Sequence, residues 1–397
     1  MSERGPKDLR TLPCWIDKFV ESHRYLGAPP IWLKWAAYSS VAAALERKVF
    51  VVLRGRKLYL NLYIFLVGPP GTGKSTALEA ARNIVVQIPS IKLSPTKVTA
   101  EKFINLLSKA NSVEIVNGEV SQHVSFSAFC SEIAVFIPPG DRGFTATLTD
   151  LYDCPNYWSY ETISRGKDAI ENLFVNFSGG VTPTTLATIV SDATIGSGFS
   201  ARVLFIYAEE GIKTDPFDVL KTVEHKDFVH DLELVNMLKG PFSHSLGAMK
   251  IFRDWYTDGM SPAPADSRFA EYNPRRFTHW MKLAAIRCAS RSNEMIVSEE
   301  DVLKAKADLL EAESFMPTAF ASIGANPINQ ALEHTRIWMM VTYAAKKTAI
   351  PESDLRKRLM TQVPLQYVDQ SIELLLSSGY AMHLGGTKPN RFIVPKS

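Results

Sequence analysis

The sequence predicts an α/β protein: a mostly parallel sheet, then a helical segment, then a small C-terminal unit of helices and a hairpin. Three observations lead there. Apolar, β-rich runs alternate with helical patterns up to about Glu210, and such alternation builds parallel sheets covered by helices. A glycine-rich loop, Gly68-Pro69-Pro70-Gly71-Thr72-Gly73-Lys74-Ser75, stands between an apolar strand and a helix. Beyond Glu210 the strand-like runs stop and the chain reads as helical.

Each element has a local reason. Pro30 opens a helix through IWLKWAAYSSVAAALER, where the first turn loses nothing by lacking an N–H. VFVVL and LYLNLYIFLV read as strands around an Arg-Gly-Arg-Lys turn. After the loop, TALEAARNIVVQI forms a helix ended by Pro89, and Thr99 caps a second over AEKFINLLSKA. Asn117-Gly118 predicts a hairpin, because both residues tolerate positive φ. Strands follow at VSFSAF, WSYETIS, ENLFVNF and VLFIY. Residues 217–320 read as helices, notably NPRRFTHWMKLAAIRCASRS and SEEDVLKAKADLLEAESFM. The second opens on Ser298 as N-cap with three acids in its first turn. IGANPINQ reads as a linker. The expected organisation is an entry segment (1–60), a core (61–215), a helical lid (216–325) and a C-terminal unit (326–397).

Composition narrows the class. Of 397 residues, 46% are hydrophobic and 21% charged, which excludes wholesale disorder. The net charge is only +3, but residues 331–397 hold nine Lys/Arg against five Asp/Glu, so the positive excess lies in the last sixth of the chain. Cys14, Cys130, Cys154 and Cys288 stand far apart and suggest neither a disulfide framework nor a cysteine zinc site. No apolar run approaches the ~18 residues of a membrane span, and MSERGPKDLRTLPCW lacks the apolar core of a signal peptide. The expectation is a soluble cytoplasmic protein with no membrane partner.

Gly68 to Ser75 fits G-x-x-x-x-G-K-[ST] in its required setting, after a strand and opening a helix. Backbone N–H groups of Gly68, Gly71, Thr72, Gly73 and the helix start through Thr76, in a loop that includes Pro70, would cradle phosphates. Lys74 would reach the β/γ-phosphates and Ser75 would ligand Mg²⁺. Hydrolysis also needs a group that activates water. VSFSAFC-Ser131-Glu132 ends an apolar strand in an acid, so Glu132 is the candidate, near the metal as well; otherwise it caps a strand or helix. ENLFVNF runs into Ser178-Gly-Gly-Val-Thr182-Pro183, where Thr182, or failing it Asn176, would sense the γ-phosphate. Thr182 is equally suited to cap the next helix.

Gly196-Ser-Gly198-Phe-Ser-Ala-Arg202 delivers one arginine just before a strand, fit to stabilise γ-phosphate charge on a neighbouring subunit, or simply to sit at the surface. Arg275 and Arg276 could form a nucleotide sensor in the helical segment, or a solvated pair. Arg165 and Lys167 mark the basic tip of a hairpin, able to contact phosphates in a channel or to remain a soluble turn. In the C-terminal unit three helices and a hairpin give the winged-helix pattern. There Arg356, Lys357, Arg358, Lys388 and Arg391 are the natural DNA contacts, although such units also bind proteins.

These motifs together resemble the AAA+-type helicase ATPases of phages and other mobile elements, with a layout similar to the minichromosome maintenance helicases. The resemblance spans roughly residues 25–397: PPIWLKWAAYSSVAAALER, LNLYIFLVGPPGTGKST, FCSE, VTP, GSGFSAR, a helical lid and a winged helix. It implies a P-loop NTPase fold of the AAA+ kind and a homo-oligomeric ring, usually a hexamer. Such a ring hydrolyses ATP with Mg²⁺ at subunit interfaces and pulls single-stranded or forked DNA through its channel. A separate primase or polymerase could complete the machine, and a phage-encoded chain would act in the host cytoplasm. The resemblance implies that Lys74 and Ser75 bind nucleotide and Mg²⁺, Glu132 activates water, Thr182 senses phosphate and Arg202 acts in trans. Ser131 stands where many such ATPases carry Asp. The alternative is a nucleotide-switched initiator or helicase loader that unwinds nothing itself.

Overall fold

The computed structural model describes residues 9–395 except 96–97, 117–118, 139, 163–165, 191–197, 214, 216–224, 265, 321–326, 364 and 386–391. It divides into two units, Met1–Ile323 and Gly324–Ser397.

In the larger unit, α1 (Trp15–Ser22) precedes α2 (Pro30–Leu45), with Pro30 in the first turn as expected. α2 is apolar on nearly every side and almost wholly buried, as a helix wrapped by other elements must be. The indole of Trp32 donates to the carbonyl of Ile206 at 2.9 Å, tying this helix to the sheet. β1 (Val49–Leu53) and β2 (Arg56–Tyr59) form an antiparallel hairpin, and β3 (Tyr63–Val67) follows. The run LYLNLYIFLV is therefore two strands in two sheets. The break lies at Asn61, whose buried amide donates to the carbonyls of Tyr152 (2.9 Å) and Val175 (3.0 Å).

Next come α3 (Lys74–Val85), α4 (Ala100–Lys109), β4 (Asn111–Val116), β5 (Glu119–Cys130), α5 (Ile133–Phe136) and α6 (Arg142–Tyr152). The hairpin β6 (Tyr157–Thr162)–β7 (Gly166–Glu171) leads into β8 (Leu173–Val181), α7 (Pro183–Ile189) and β9 (Val203–Tyr207). Thr99 caps α4 through a hydrogen bond from the N–H of Lys102. The central sheet has the order β4-β5-β8-β3-β9. β4 pairs antiparallel with β5, Val116 opposite Glu119, with Asn117-Gly118 outside the described residues, while β5, β8, β3 and β9 are parallel to one another. Every residue of β3, β8 and β9 is buried, which requires cover on both faces of the sheet.

The strands do not stop at Glu210. Among α8 (His225–Asn236), α9 (Leu246–Thr257), α10 (Arg276–Arg291) and α11 (Glu299–Ala319) lie two short strands, β10 (Gly240–His244) and β11 (Ile296–Val297). They join β1 and β2 in a second sheet of order β11-β10-β1-β2. The entry hairpin and the helical segment thus share one sheet. α11 opens with a capping box, Ser298 and Asp301 each accepting the other's backbone N–H.

The smaller unit contains α12 (Pro327–Lys346), α13 (Glu352–Met360), α14 (Val368–Ser377) and a three-stranded antiparallel sheet of β12 (Ile350–Pro351), β13 (Ala381–Gly385) and β14 (Phe392–Pro395). Its own core is built on Met339, Ile350, Leu355, Leu359, Ile372, Leu375 and Ile393. Among the described residues, no helix is long and apolar enough to cross a membrane.

Candidate functional site

Strand register creates the site. Val67 of β3 lies beside Val181 of β8 and Tyr207 of β9, and Cys130 of β5 lies beside Gly179. The residues that follow these strands therefore leave the sheet at one edge. β8 stands between β3 and β5, so the chain reverses direction of travel across the sheet here, and such switch points open a crevice at the carboxyl ends of the strands. A cavity of about 760 Å³ occupies that place.

Its walls include Pro70, Gly71, Thr72, Gly73, Lys74, Ser75, Thr76, Ser131, Glu132 and Thr182. Gly68 lies beneath the loop, fully buried, where a Cβ would fall 2.2 Å from the carbonyl oxygen of Ala208. Gly73, at φ 96°, turns the chain into α3, a conformation that favours glycine. The Lys74 ammonium is largely buried and donates to the loop carbonyls of Gly68 (2.7 Å) and Pro69 (2.6 Å). Burial lowers its pKa, and the Glu132 carboxylate partly offsets this. Ser75 is exposed in the first turn of α3.

Glu132 is exposed at the end of β5, in the N-cap position of α5, without making a side-chain cap bond. Thr182 lines the cavity and also caps α7, its hydroxyl accepting the N–H of Thr185 at 3.2 Å. Asn176 is elsewhere: fully buried between α2 and the sheet, it accepts from the N–H of Leu62 (3.0 Å) and donates to the carbonyl of Ser39 (3.1 Å).

Sequence reasoning missed Leu26, Gly27 and the run from Glu209 to Lys213, which complete the cavity. The signal for the last group was the polar run Glu209-Glu210-Gly211 directly after the apolar VLFIY. A neighbouring cavity of about 540 Å³ shares Glu209 and is lined by Pro30, Ile31, Tyr207 and Phe315.

The structure places the predicted arginines away from this edge. Arg202 precedes β9, whose five residues separate it from the loop edge by roughly 17 Å at ~3.3 Å per residue. It donates to the carbonyl of Gly198 (2.8 Å) and to Asp153 (2.5 Å), which Arg275 also approaches at 3.4 Å. Arg276 is fully buried and bonded to Glu313 and to the carbonyls of Met260 and Pro262. It is not available to a ligand at the loop. Arg165 lies outside the described residues, and Lys167 sits on β7 opposite Glu161.

In the smaller unit Arg356 is paired with Glu352 (3.0 Å) and with Asp369. The Asp369 and Glu352 carboxylates raise its pKa. Lys357 and Arg358 are exposed on α13, Lys357 with Asp354 at 3.8 Å. Lys388 and Arg391 lie outside the described residues. No protein-family model matches the chain, and no curated protein matches it.

Proposed function

We propose that the larger unit binds and hydrolyses ATP with Mg²⁺, and that the protein is an AAA+-type, ring-forming DNA translocase or replicative helicase whose smaller unit is a DNA-binding winged helix. One observation carries this reading: four parallel strand ends bring the glycine-rich loop, Lys74, Glu132, Thr182 and Glu209 to a single cavity. Backbone N–H groups at a helix start, an ammonium, hydroxyls and carboxylates are the groups that a triphosphate with its metal requires. The cavity volume lies within the ordinary range for small-molecule sites.

In this reading Lys74 exchanges the carbonyls of Gly68 and Pro69 for phosphate oxygens. Ser75 and Glu132 are the candidate oxygen ligands for Mg²⁺, which when bound neutralises charge on the β- and γ-phosphates. Glu132 orients the attacking water and draws off its proton. Thr182 presents its hydroxyl to the γ-phosphate while holding α7. The apolar slot beside Glu209, with Ile31, Tyr207 and Phe315, suits the base. Arg202 lies too far from its own loop, which favours action on the nucleotide of another copy. With Ser131 in place of Asp, metal retention falls to Ser75 and Glu132.

The test is phosphate release by the full chain with and without single-stranded DNA, alongside strand displacement on a fork. DNA-stimulated turnover and unwinding support the proposal. Turnover without unwinding on any fork would make the protein a loader or initiator, and no turnover would refute the enzymatic reading.

A further inference from the structure

The two cavities at the carboxyl edge of the sheet share one side chain. Among the described residues only Glu209 lines both the cavity of about 760 Å³ beside the glycine-rich loop and the apolar one of about 540 Å³. A second stretch of chain runs from one to the other: Leu26 and Gly27 border the first, Pro30 and Ile31 the second. Glu209 therefore stands at the passage between them.

Its backbone is fixed from both directions. The N–H of Ala208 donates to the carbonyl of Val67 at 3.1 Å, and the Ala208 carbonyl oxygen packs where Gly68 leaves no room for a Cβ. Gly211 lies so close to the entry segment that a Cβ would fall 2.1 Å from the carbonyl oxygen of Gly27. The side chain is held as well, because the Tyr207 hydroxyl donates to Glu209 Oε1 at 2.9 Å. Burial, with that carboxylate beside it, pushes the Tyr207 hydroxyl up to about 12, so it stays a donor at neutral pH. Among the described residues Glu209 Oε2 accepts no hydrogen bond, and no cation pairs with the carboxylate.

The chemistry selects what Glu209 can hold. A carboxylate only accepts hydrogen bonds. Phosphate oxygens are acceptors of like charge, so Glu209 offers them nothing directly. In a nucleotide with its phosphates in the first cavity and its base in the second, the sugar spans the passage, and its hydroxyls are donors. We propose that Glu209 accepts a hydrogen bond from a sugar hydroxyl and thereby makes the site read the sugar of its nucleotide. This inference rests on the nucleotide reading of the glycine-rich loop given above.

The experiment is calorimetric titration of the full chain with ADP, 2′-deoxy-ADP and 3′-deoxy-ADP, diphosphates that carry no γ-phosphate to hydrolyse. At least one deoxy form should bind about tenfold more weakly than ADP, the worth of one hydrogen bond to a charged group at an exposed site; which form it is identifies the hydroxyl. Glu209→Ala should bring ADP down to that form and leave the deoxy form itself unmoved. Glu209→Gln keeps an accepting oxygen and should retain part of the preference. Glu209 is exposed, and a circular-dichroism melt confirms folding of both variants. Equal binding of all three diphosphates overturns the proposal. So does Glu209→Ala weakening all three alike, which would put the carboxylate on a metal or on the base. Lys74→Ala separates the two readings. ADP binding that it weakens, with no sugar preference in the unaltered chain, sinks this inference alone. No ADP binding, or binding indifferent to Lys74, sinks the nucleotide reading of the loop as well.

Discussion

Arg276 and Glu313 meet as a forked ion pair, Nε to Oε1 at 2.7 Å and Nη2 to Oε2 at 2.6 Å, with both side chains closed off from solvent. The pair joins α10 to α11, and Tyr272 adds a hydrogen bond to the same carboxylate at 3.0 Å. Removing one partner of such a pair leaves a buried charge uncompensated. Glu313→Ala is therefore expected to cost about 3–5 kcal/mol in denaturant unfolding. Arg276→Lys, which keeps the charge but loses the fork, should cost less. If Arg276→Lys weakened ATP binding without lowering stability, Arg276 would be a nucleotide sensor after all.

The loop and the acid should separate in their effects. Lys74→Ala removes an ammonium that, among the described residues, hydrogen-bonds to two loop carbonyls, so the fold should survive while ATP affinity falls by about tenfold or more. Glu132→Gln keeps the shape and loses the base, so binding should persist while turnover drops by about 10²–10⁴-fold. Titration with a fluorescent nucleotide and a phosphate-release assay read the two quantities.

Arg202 and Asp153 offer a test of cooperation between copies. A trans-acting arginine contributes about 10³–10⁵-fold to turnover, so Arg202→Ala should abolish activity and leave nucleotide affinity intact. Mixing Arg202→Ala with Lys74→Ala protein should restore some activity, because part of the interfaces would then combine an intact loop with an intact arginine. No recovery at any mixing ratio would exclude a trans role.

His279 supplies a pH dependence. Its ring is fully buried, stacked on Tyr272 and bonded to the carbonyl of Ala201 at 3.1 Å, and burial pulls its pKa down to about 3. In the unfolded chain the ring titrates near the ordinary value of about 6.5. Between those values only the unfolded state takes the proton, so stability is intact above about 6.5 and falls as the pH drops, by up to ~1.4 kcal/mol per unit. The loss levels off below about 3. Denaturant midpoints from pH 7 to 4 should show this slope, reduced in His279→Gln.

The smaller unit should bind DNA through few contacts. Arg356 is committed to Glu352 and Asp369, so Arg356→Ala should lower the stability of that unit more than its DNA affinity. Lys357→Ala with Arg358→Ala should weaken DNA binding and lower the salt slope by about two, one for each phosphate left without its cation. An unchanged slope in a fluorescence-anisotropy series would move the DNA-binding surface elsewhere.

Local signals in the sequence found what is local. The strand–loop–helix around Lys74, the Thr99 cap, the antiparallel pairing of β4 with β5 and the Ser298 capping box each depend on neighbours a few residues apart. β10 and β11 escaped because they are short and gain strand form only by pairing at a distance, β10 with β1 nearly two hundred residues away and β11 with β10. Arg276 looked free because Glu313 is distant in sequence, and Asn176 because Ser39 and Leu62 are. Lys282 and Asn61 show the same limit: nothing in either segment announces that they meet.

β8 carries one more consequence. At one end Thr182 faces the cavity; at the other, a single residue, Asn172, separates the strand from the β6–β7 hairpin. Nine buried residues, clamped in register by β5 on one side and β3 on the other, span about 30 Å without room to bend. Hydrogen-bonded in register to both neighbours, the strand has no freedom to slide, so the separation between Thr182 and the root of the hairpin is fixed. The cavity edge and the hairpin thus stand at the two ends of one rigid spacer through the middle of the sheet.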